Sequence, residues 1–559
     1  MEMLTNPKKF AGVLGVILLL WFLVGAILFP AFKTAEVSLT DHGEISLIHY
    51  RTFLTNQANI IPLANSIILG LLTVAICGII GTALAFFVHY FAFPAKRIVD
   101  KLLLMPLILP GIVVVFAFVQ LYGESGLITE SIEWLFKLEN EPYTFSGLQG
   151  ILFVHAYTQY VYFYISVSIA IRHIDYSVLE SARNLGASKT QIFTSVILPF
   201  ISPALISSAL ITFISGIGSF TAPSIIGGGY RVLTTQILFS KANNYMEVAA
   251  TQVIILTCIS LFLFSIFRLY EKKAVFTSSV KGVALQAVTI KSPLVRFLML
   301  STAGITIITI LLPVFAILLL SFVKSETLMV NVFPQEFTNE NYLDIFTRSR
   351  KFAPFLNSII MAFIASLLGL FIAIPSSYLL VKTQIKFKWF IEILVMLPWA
   401  MPASAIAINI INAYNTPNIF SCNSALVGTF ILLPLGYFVR SLPLIVKTTS
   451  ISFQNLNETF IEASKSLGAS QLRTFISIIL PMISPGLLAG FLLVFVRSMG
   501  EYTISVFLYT PSNKPVSLAV VNGIFEYDIG LAMAYGTLLI VITSILSFMI
   551  SKFTTATYR

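Results

Sequence analysis

One short polar segment occurs twice in this chain, at a fixed distance. The first copy reads Glu180-Ser-Ala-Arg-Asn-Leu-Gly186-Ala-Ser and continues to Ile197-Leu-Pro199. The second reads Glu462-Ala-Ser-Lys-Ser-Leu-Gly468-Ala-Ser and continues to Ile479-Leu-Pro481, 282 residues later at every matched position. Ser202-Pro203 returns as Ser484-Pro485, and Gly218 as Gly500, at the same offset. Polar segments set between long apolar runs are the last places to match by chance. The chain is therefore a duplicated unit with a duplicated task.

The rest of the sequence says where that unit sits. Of 559 residues, 57% are hydrophobic and only 10% charged, a balance that excludes a soluble domain of this size and fits a polytopic membrane protein. The net charge of +10 resides in short segments between apolar runs, which argues for a lipid bilayer as the partner and against nucleic acid. Cys77, Cys258 and Cys422 are far apart in sequence, so neither a disulfide framework nor a cysteine metal site is indicated.

Lys8 and Lys9 precede an apolar run over about 11–32, too long for a signal-peptide core and read as an uncleaved first span. Further runs lie near 62–89, 98–122, 147–171, 196–218 and 246–268, then near 294–322, 354–381, 390–412, 425–447, 476–497 and 530–551. The expectation is an all-α polytopic membrane protein with about twelve transmembrane helices in two six-helix repeats. A first domain covers 1–270, a polar linker 271–292 and a second domain 293–559. Of 34 Lys and Arg residues, 22 fall in segments on the side of the termini, 10 on the other side, and Arg440 and Arg497 within apolar runs. The positive-inside bias places both termini and both polar motifs in the cytoplasm and makes the repeats parallel. The loop 123–146, on the other side, carries Glu124, Glu130, Glu133, Glu139 and Glu141 against Lys137. It reads either as a solvated amphipathic loop or as a docking surface.

Ser177-Val-Leu-Glu180 and Thr459-Phe-Ile-Glu462 each fit a helix-capping box. Gly186 and Gly468 follow two turns later, where a left-handed residue would end the helix. Pro199 and Pro481 are expected to break or kink the helix that comes next. Glu180 and Glu462 serve either as caps or as parts of a coupling surface. Ser188 and Gln191 fit a second capping box, whereas Ser470 faces Arg473 and cannot complete one, which predicts that the second helix of the first loop is better anchored at its start.

The pattern E-A-A, three residues, G, then I-x-L-P resembles the cytoplasmic loop of binding-protein-dependent ABC importer permeases. The chain keeps Glu180, Ala182, Gly186, Leu198 and Pro199 in one copy, and Glu462, Ala463, Gly468, Leu480 and Pro481 in the other. It departs at Ser181 and Ser464, small residues in place of Ala. The fused arrangement is most similar to the ferric-iron-type permeases. Relatives of this arrangement are also associated with thiamine, phosphonates and sugar phosphates. The resemblance implies the type I ABC importer permease fold and a bacterial inner-membrane location. It also implies that Glu180, Ala182, Gly186, Ala187 and Ser188, with Glu462, Ala463, Gly468, Ala469 and Ser470, form coupling loops. These would seat in a separate ATPase subunit, expected as a homodimer, which binds ATP and Mg. An extracytoplasmic substrate-binding protein completes the system. The chain itself has no G-x-x-x-x-G-K-[ST], no H-E-x-x-H and no G-x-S-x-G, so the expectation is a transport subunit without catalytic residues, cofactor or metal of its own. The alternative class is a stand-alone secondary transporter.

Polar residues at membrane depth either line a path or tie helices together. His155, Thr158, Gln159 and Tyr162 share one helix face, and the offset of 282 maps that face to Tyr437, Arg440, Ser441 and Leu444. Arg497 and Glu501 are placed to form an ion pair or gate in the second half. The outer Gly227-Gly228-Gly229-Tyr230-Arg231 segment reads as a plain turn, with a flexible gate or docking loop as the alternative.

Overall fold

The computed structural model describes residues 7–41, 43–273, 288–289, 292–328 and 333–557; most of the linker expected over 271–292 lies outside them. All twelve apolar runs are helical. In chain order, α1 is Val13–Ser38 and α2 Gln57–Tyr90. Next come α3 (Lys96–Leu102), α4 (Gly111–Tyr122), α5 (Leu127–Phe136), α6 (Gly147–Arg172) and α7 (Tyr176–Asn184). α8 runs from Lys189 to Ile217, followed by α9 (Thr221–Ile226), α10 (Leu233–Ala242) and α11 (Met246–Lys273). The second set is α12 (Pro293–Ser321), α13 (Ser349–Lys382), α14 (Lys388–Ala400), α15 (Ala403–Tyr414), α16 (Leu432–Gln454) and α17 (Glu458–Ser466). It closes with α18 (Gln471–Met499), α19 (Thr503–Leu508), α20 (Val516–Phe525) and α21 (Ile529–Thr557).

Among the described residues, nine helices are long and apolar enough to cross a membrane, or ten when α14 and α15 count as one bent span. The helices α6 and α16, of 26 and 23 residues, complete the twelve; each is long enough to cross but carries the polar face noted above. α16 starts at Leu432, later than the run near 425 suggested.

Two spans differ from the expectation of single rods. The run 390–412 is bent by 115° between α14 and α15, and 98–122 is divided into α3, a 3-10 turn at Met105–Leu107, and α4. The cause is local. Pro110 and Pro402 stand immediately before α4 and α15, and a residue preceding proline is driven to extended backbone, as Met401 shows with ψ 131. The carbonyl that Met401 can no longer give to a helix accepts a 3.0 Å bond from Arg440 Nη1.

Pro199 and Pro481 do not break their helices. Each follows a five-residue π turn, Phe193–Ile197 and Phe475–Ile479, and the helix continues beyond it. The same device precedes Pro30, after the π turn Val24–Leu28. The wider turn moves the backbone bond to i−5, so the proline ring meets less of the preceding turn and the helix survives.

The described chain packs as two compact units that cut across the sequence halves. One is formed by the described residues within 1–53, 237–254 and 338–559, the other by those within 54–236 and 255–337. The first helix of each half is thus exchanged. In the first unit α1 packs on α15, with Tyr414 Oη donating to Gly25 O at 2.8 Å and Asn412 Nδ2 to Thr34 Oγ1 at 3.2 Å. In the second unit α12 packs on α3 and α4, and Tyr157 Oη of α6 donates to Ile310 O at 2.8 Å. Within that unit α2 meets α6 and α8 along a stripe of small residues, Ser66, Gly70, Cys77, Gly81 and Ala85, which lets the backbones approach closely. A two-residue parallel bridge joins Phe91-Ala92 to Val288-Thr289.

The structural repeat has two offsets. The starts of α2 and α13, α3 and α14, and α4 and α15 differ by 292. Those of α7 and α17, α8 and α18, and α9 and α19 differ by 282. The ten-residue difference falls between α4 and α6, where α5, itself ten residues long, has no partner in the second half.

Candidate functional site

Each polar motif folds into a compact loop unit at the end of α6 or α16. The first helix of the unit is not capped as the sequence suggested. Asp175, not Ser177, is the N-cap of α7, its Oδ1 accepting from Ser177 N at 2.9 Å; Asn457, not Thr459, does the same for α17 with Thr459 N at 3.0 Å. Asp and Asn each suit that position well, and they lie two residues upstream, where the preceding helix has already ended. The two glutamates are thereby released from capping. Among the described residues, neither Glu180 nor Glu462 makes a side-chain hydrogen bond or ion pair within the chain, and both are exposed.

The left-handed turns are present. Gly186 has φ +81 and Gly468 φ +77. Gly186 N donates to Arg183 O and Ala187 N to Ala182 O, and Gly468 N to Lys465 O and Ala469 N to Ser464 O, which closes a Schellman motif in both loops. The turn lifts one apolar side chain off the protein in each copy: Leu185 and Leu467 are both 88% exposed. The sequence reading passed over these leucines, because a leucine beside a helix end is normally assigned to the core. Only the turn shows that they point outward.

The two loops are anchored differently. In loop one Ser188 and Gln191 form the expected capping box, with Ser188 N donating to Gln191 Oε1 at 2.8 Å and Gln191 N to Ser188 Oγ at 3.3 Å. Ser470 only receives Arg473 N, at 3.3 Å. Loop two nevertheless has tethers that loop one lacks. The buried Ser464 and Thr474 hydroxyls share a 2.9 Å bond, where loop one has the apolar Ala182 and Ile192. Lys382 Nζ at the end of α13 also donates to Glu458 Oε1 at 2.8 Å. That bond and the lysine charge hold the Glu458 carboxyl below its ordinary pKa. The second helix of loop one is thus better anchored at its start, as expected, while loop two is held by these other tethers.

The polar face at membrane depth ties helices together. His155 is buried, with Nδ1 2.8 Å from Thr73 Oγ1 on α2 and Nε2 2.9 Å from Ser219 Oγ at the break between α8 and α9. Its counterpart Tyr437 has its hydroxyl 2.6 Å from Ser505 Oγ on α19. At that break the carbonyls of Ser219 and Glu501 accept from Thr234 at 2.5 Å and Ser517 at 2.9 Å. Gln159 is buried, and its Oε1 has no hydrogen-bond partner among the described residues. Tyr162 is half-buried, and its carbonyl accepts from Ser208 Oγ at 3.0 Å. Arg497 and Glu501 do not pair. Arg497 is exposed, while Glu501 Oε1 accepts from Ile504 N at 3.1 Å and so caps α19.

The sequence reading also missed a second duplicated anchor. Asn65 Nδ2 donates to Arg231 O and Ser66 Oγ receives Leu233 N; Asn357 Nδ2 donates to Lys514 O and Ser358 Oγ receives Val516 N. These Asn-Ser pairs pin the segments that lead into or carry the short helices α10 and α20. Being 292 residues apart, they do not appear in a comparison made at 282.

This duplicated architecture matches a known family. The model for "binding-protein-dependent transport system inner membrane component" matches residues 78–276 and 365–556, so each match contains one loop unit. The chain belongs to this family. A probable ABC transporter permease of Sinorhizobium fredii is 29% identical over 92% of this chain and 91% of its own length. A ferric transport system permease of Actinobacillus pleuropneumoniae is 26% identical over 97% of this chain and 78% of its own. A putative 2-aminoethylphosphonate transport system permease of Salmonella choleraesuis is 28% identical over 45% of this chain and 90% of its own. The chain is accordingly an ABC permease, a multi-pass protein of the inner membrane with two family repeats in one polypeptide.

Proposed function

We propose that this permease forms the translocation path of an ABC importer and takes its driving force from a separate ATPase homodimer that binds ATP and Mg. The observation that carries the reading is the pair of loop units. Each ends in the same Schellman turn, and each presents one unpartnered glutamate and one leucine 88% exposed. Such a knob is made for a groove on another protein, and two copies suit the two grooves of a symmetric dimer. The Lys and Arg distribution supports cytoplasmic loops and termini. The experiment combines two measurements. Affinity-purified permease is expected to bring down about two ATPase copies per chain, and cysteines placed at Ser188 and Ser470 to react with a thiol reagent only from the cytoplasmic side. Transport by the chain alone would favour a secondary transporter, and labelling from outside would overturn the orientation.

Ferric iron is the leading substrate in this reading, because the ferric relative aligns along nearly the whole fused chain. The 2-aminoethylphosphonate relative aligns with less than half of it and supports phosphonate as the second reading. The substrate-binding protein that stimulates ATP hydrolysis by the reconstituted complex is expected to carry Fe(III) when isolated. A bound phosphonate would replace the first reading with the second.

A further inference from the structure

The helix α5 has no role in the coupling units, and the second half has no equivalent of it. In the second half the corresponding loop folds back on α1, where Phe420 packs against Trp21 and Phe29 with centroids 5.3 and 4.9 Å away. In the first half the extra ten residues build a helix with an uncovered apolar edge: Trp134 is 78% exposed, Leu135 and Phe136 each 66%.

Length and composition alone would let Gly111–Phe136 cross a membrane as one rod, but ring contacts and charge set α5 apart from α4. Tyr122, at the end of α4, lies 5.8 Å from Phe145 and 5.2 Å from Phe153 between ring centroids, level with the start of α6. The segment that carries α5 therefore leaves α4 at that end of α6. The coupling unit hangs from the other end, at Arg172. The helix is ordered before it meets anything. Thr129 Oγ1 and Tyr143 Oη are 2.9 Å apart across its base, and Lys137 at φ +52 closes it, with Leu138 N donating to Glu133 O.

The surrounding charge decides what covers this edge. Helices that lie on a bilayer surface set Lys and Arg against the headgroups. The segment around α5 has five glutamates, Glu124, Glu130, Glu133, Glu139 and Glu141, and one lysine, Lys137. Anionic lipid would repel it. A soluble protein with an apolar pocket ringed by Lys and Arg fits both features, aromatic anchors at the centre and charge at the rim.

We propose that α5 is a docking arm for the substrate-binding protein, its Trp134-Leu135-Phe136 edge entering an apolar pocket with a basic rim on that protein. This inference rests on the importer reading above. Because only one half carries the arm, it fixes the orientation in which the partner lands. Being pre-ordered, it binds without the cost of folding a loop.

The test uses the full complex with its ATPase in lipid nanodiscs. The probe is the purified substrate-binding protein that stimulates wild-type ATP hydrolysis. The W134A/F136A double variant is expected to raise its Kd at least tenfold while basal ATP hydrolysis stays unchanged. E124Q/E139Q/E141Q, which alters only exposed charges, is expected to slow association severalfold and flatten its dependence on salt. An unchanged Kd and unchanged salt dependence in these variants would overturn the arm while leaving the importer reading intact. Quenching of Trp134 fluorescence by brominated lipid would assign α5 to the bilayer and overturn it as well. Failure of every binding protein to associate with the wild-type complex would bring down the importer reading, and the arm with it.

Discussion

Replacing Leu185 and Leu467 together by Asp is expected to abolish assembly with the ATPase and to cut transport more than a hundredfold. Both side chains stand 88% clear of the protein, so the substitution removes no packing and the membrane helices should fold as before. In a partner groove, each leucine would bury most of its surface, worth about 1.5–3 kcal/mol, and an Asp there would in addition leave a charge without a partner. Two such sites on one symmetric partner compound the loss. Co-purification of the ATPase measures the first effect and uptake into proteoliposomes the second. The single variants should retain part of both, since one knob remains seated. An ATPase that still co-purifies in full with the double variant would show that these leucines are not the contact.

The second large effect is on the fold. Gly81→Val is expected to reduce the yield of folded protein in the membrane to a small fraction of wild type. A Cβ at Gly81 would lie 2.5 Å from the Tyr160 carbonyl oxygen, 2.6 Å from Phe163 Cβ and 3.0 Å from Tyr164 N, so α2 and α6 must move apart as whole helices. Overpacking typically costs about 1–3 kcal/mol, and contacts with backbone atoms place this case at or above the upper end. Separating the helices also strains the His155 bond to Thr73 two turns away. The control is Gly304→Ala in α12, where nothing lies within 4 Å of the new Cβ and stability should hold or rise by up to about 1 kcal/mol. Thermal unfolding in detergent, followed by size-exclusion recovery, compares the two. Equal recovery would show that the α2–α6 contact yields more easily than its geometry implies.

Much of the site was legible before any coordinates. The left-handed positions of Gly186 and Gly468 could be read from a glycine placed two turns after a helix start, because a residue with a Cβ resists that backbone. The Ser188–Gln191 box could be read for the same kind of reason: a reciprocal pair of hydrogen bonds needs only the right side chains three residues apart. The reading failed where two local solutions competed. Ser177 and Thr459 satisfied the capping pattern, yet Asp175 and Asn457 took the position, since where α6 and α16 end decides which residue is first free to cap. The exposed leucines were missed because hydrophobicity reports a preference for burial and not which protein supplies it.

What the sequence by itself determined is local and periodic. It determined the duplicated motif, the twelve apolar segments, the polar loops between them and the handedness of the glycine turns. These follow from backbone sterics, hydrogen-bond supply and the length needed to cross a bilayer, all of which act over a few residues or one helix. Tertiary structure alone decided which helices meet. An apolar face carries no mark that distinguishes lipid, its own half or the other half. The exchange of α1 and α12 between packing units, the Asn-Ser anchors under α10 and α20, and the tie from His155 to Ser219 therefore emerge only when distant segments compete for the same close-packed surface. The π turns before Pro30, Pro199 and Pro481 belong to both levels. The prolines are written in the sequence, but a long helix held by its neighbours on both sides widens by one residue instead of breaking.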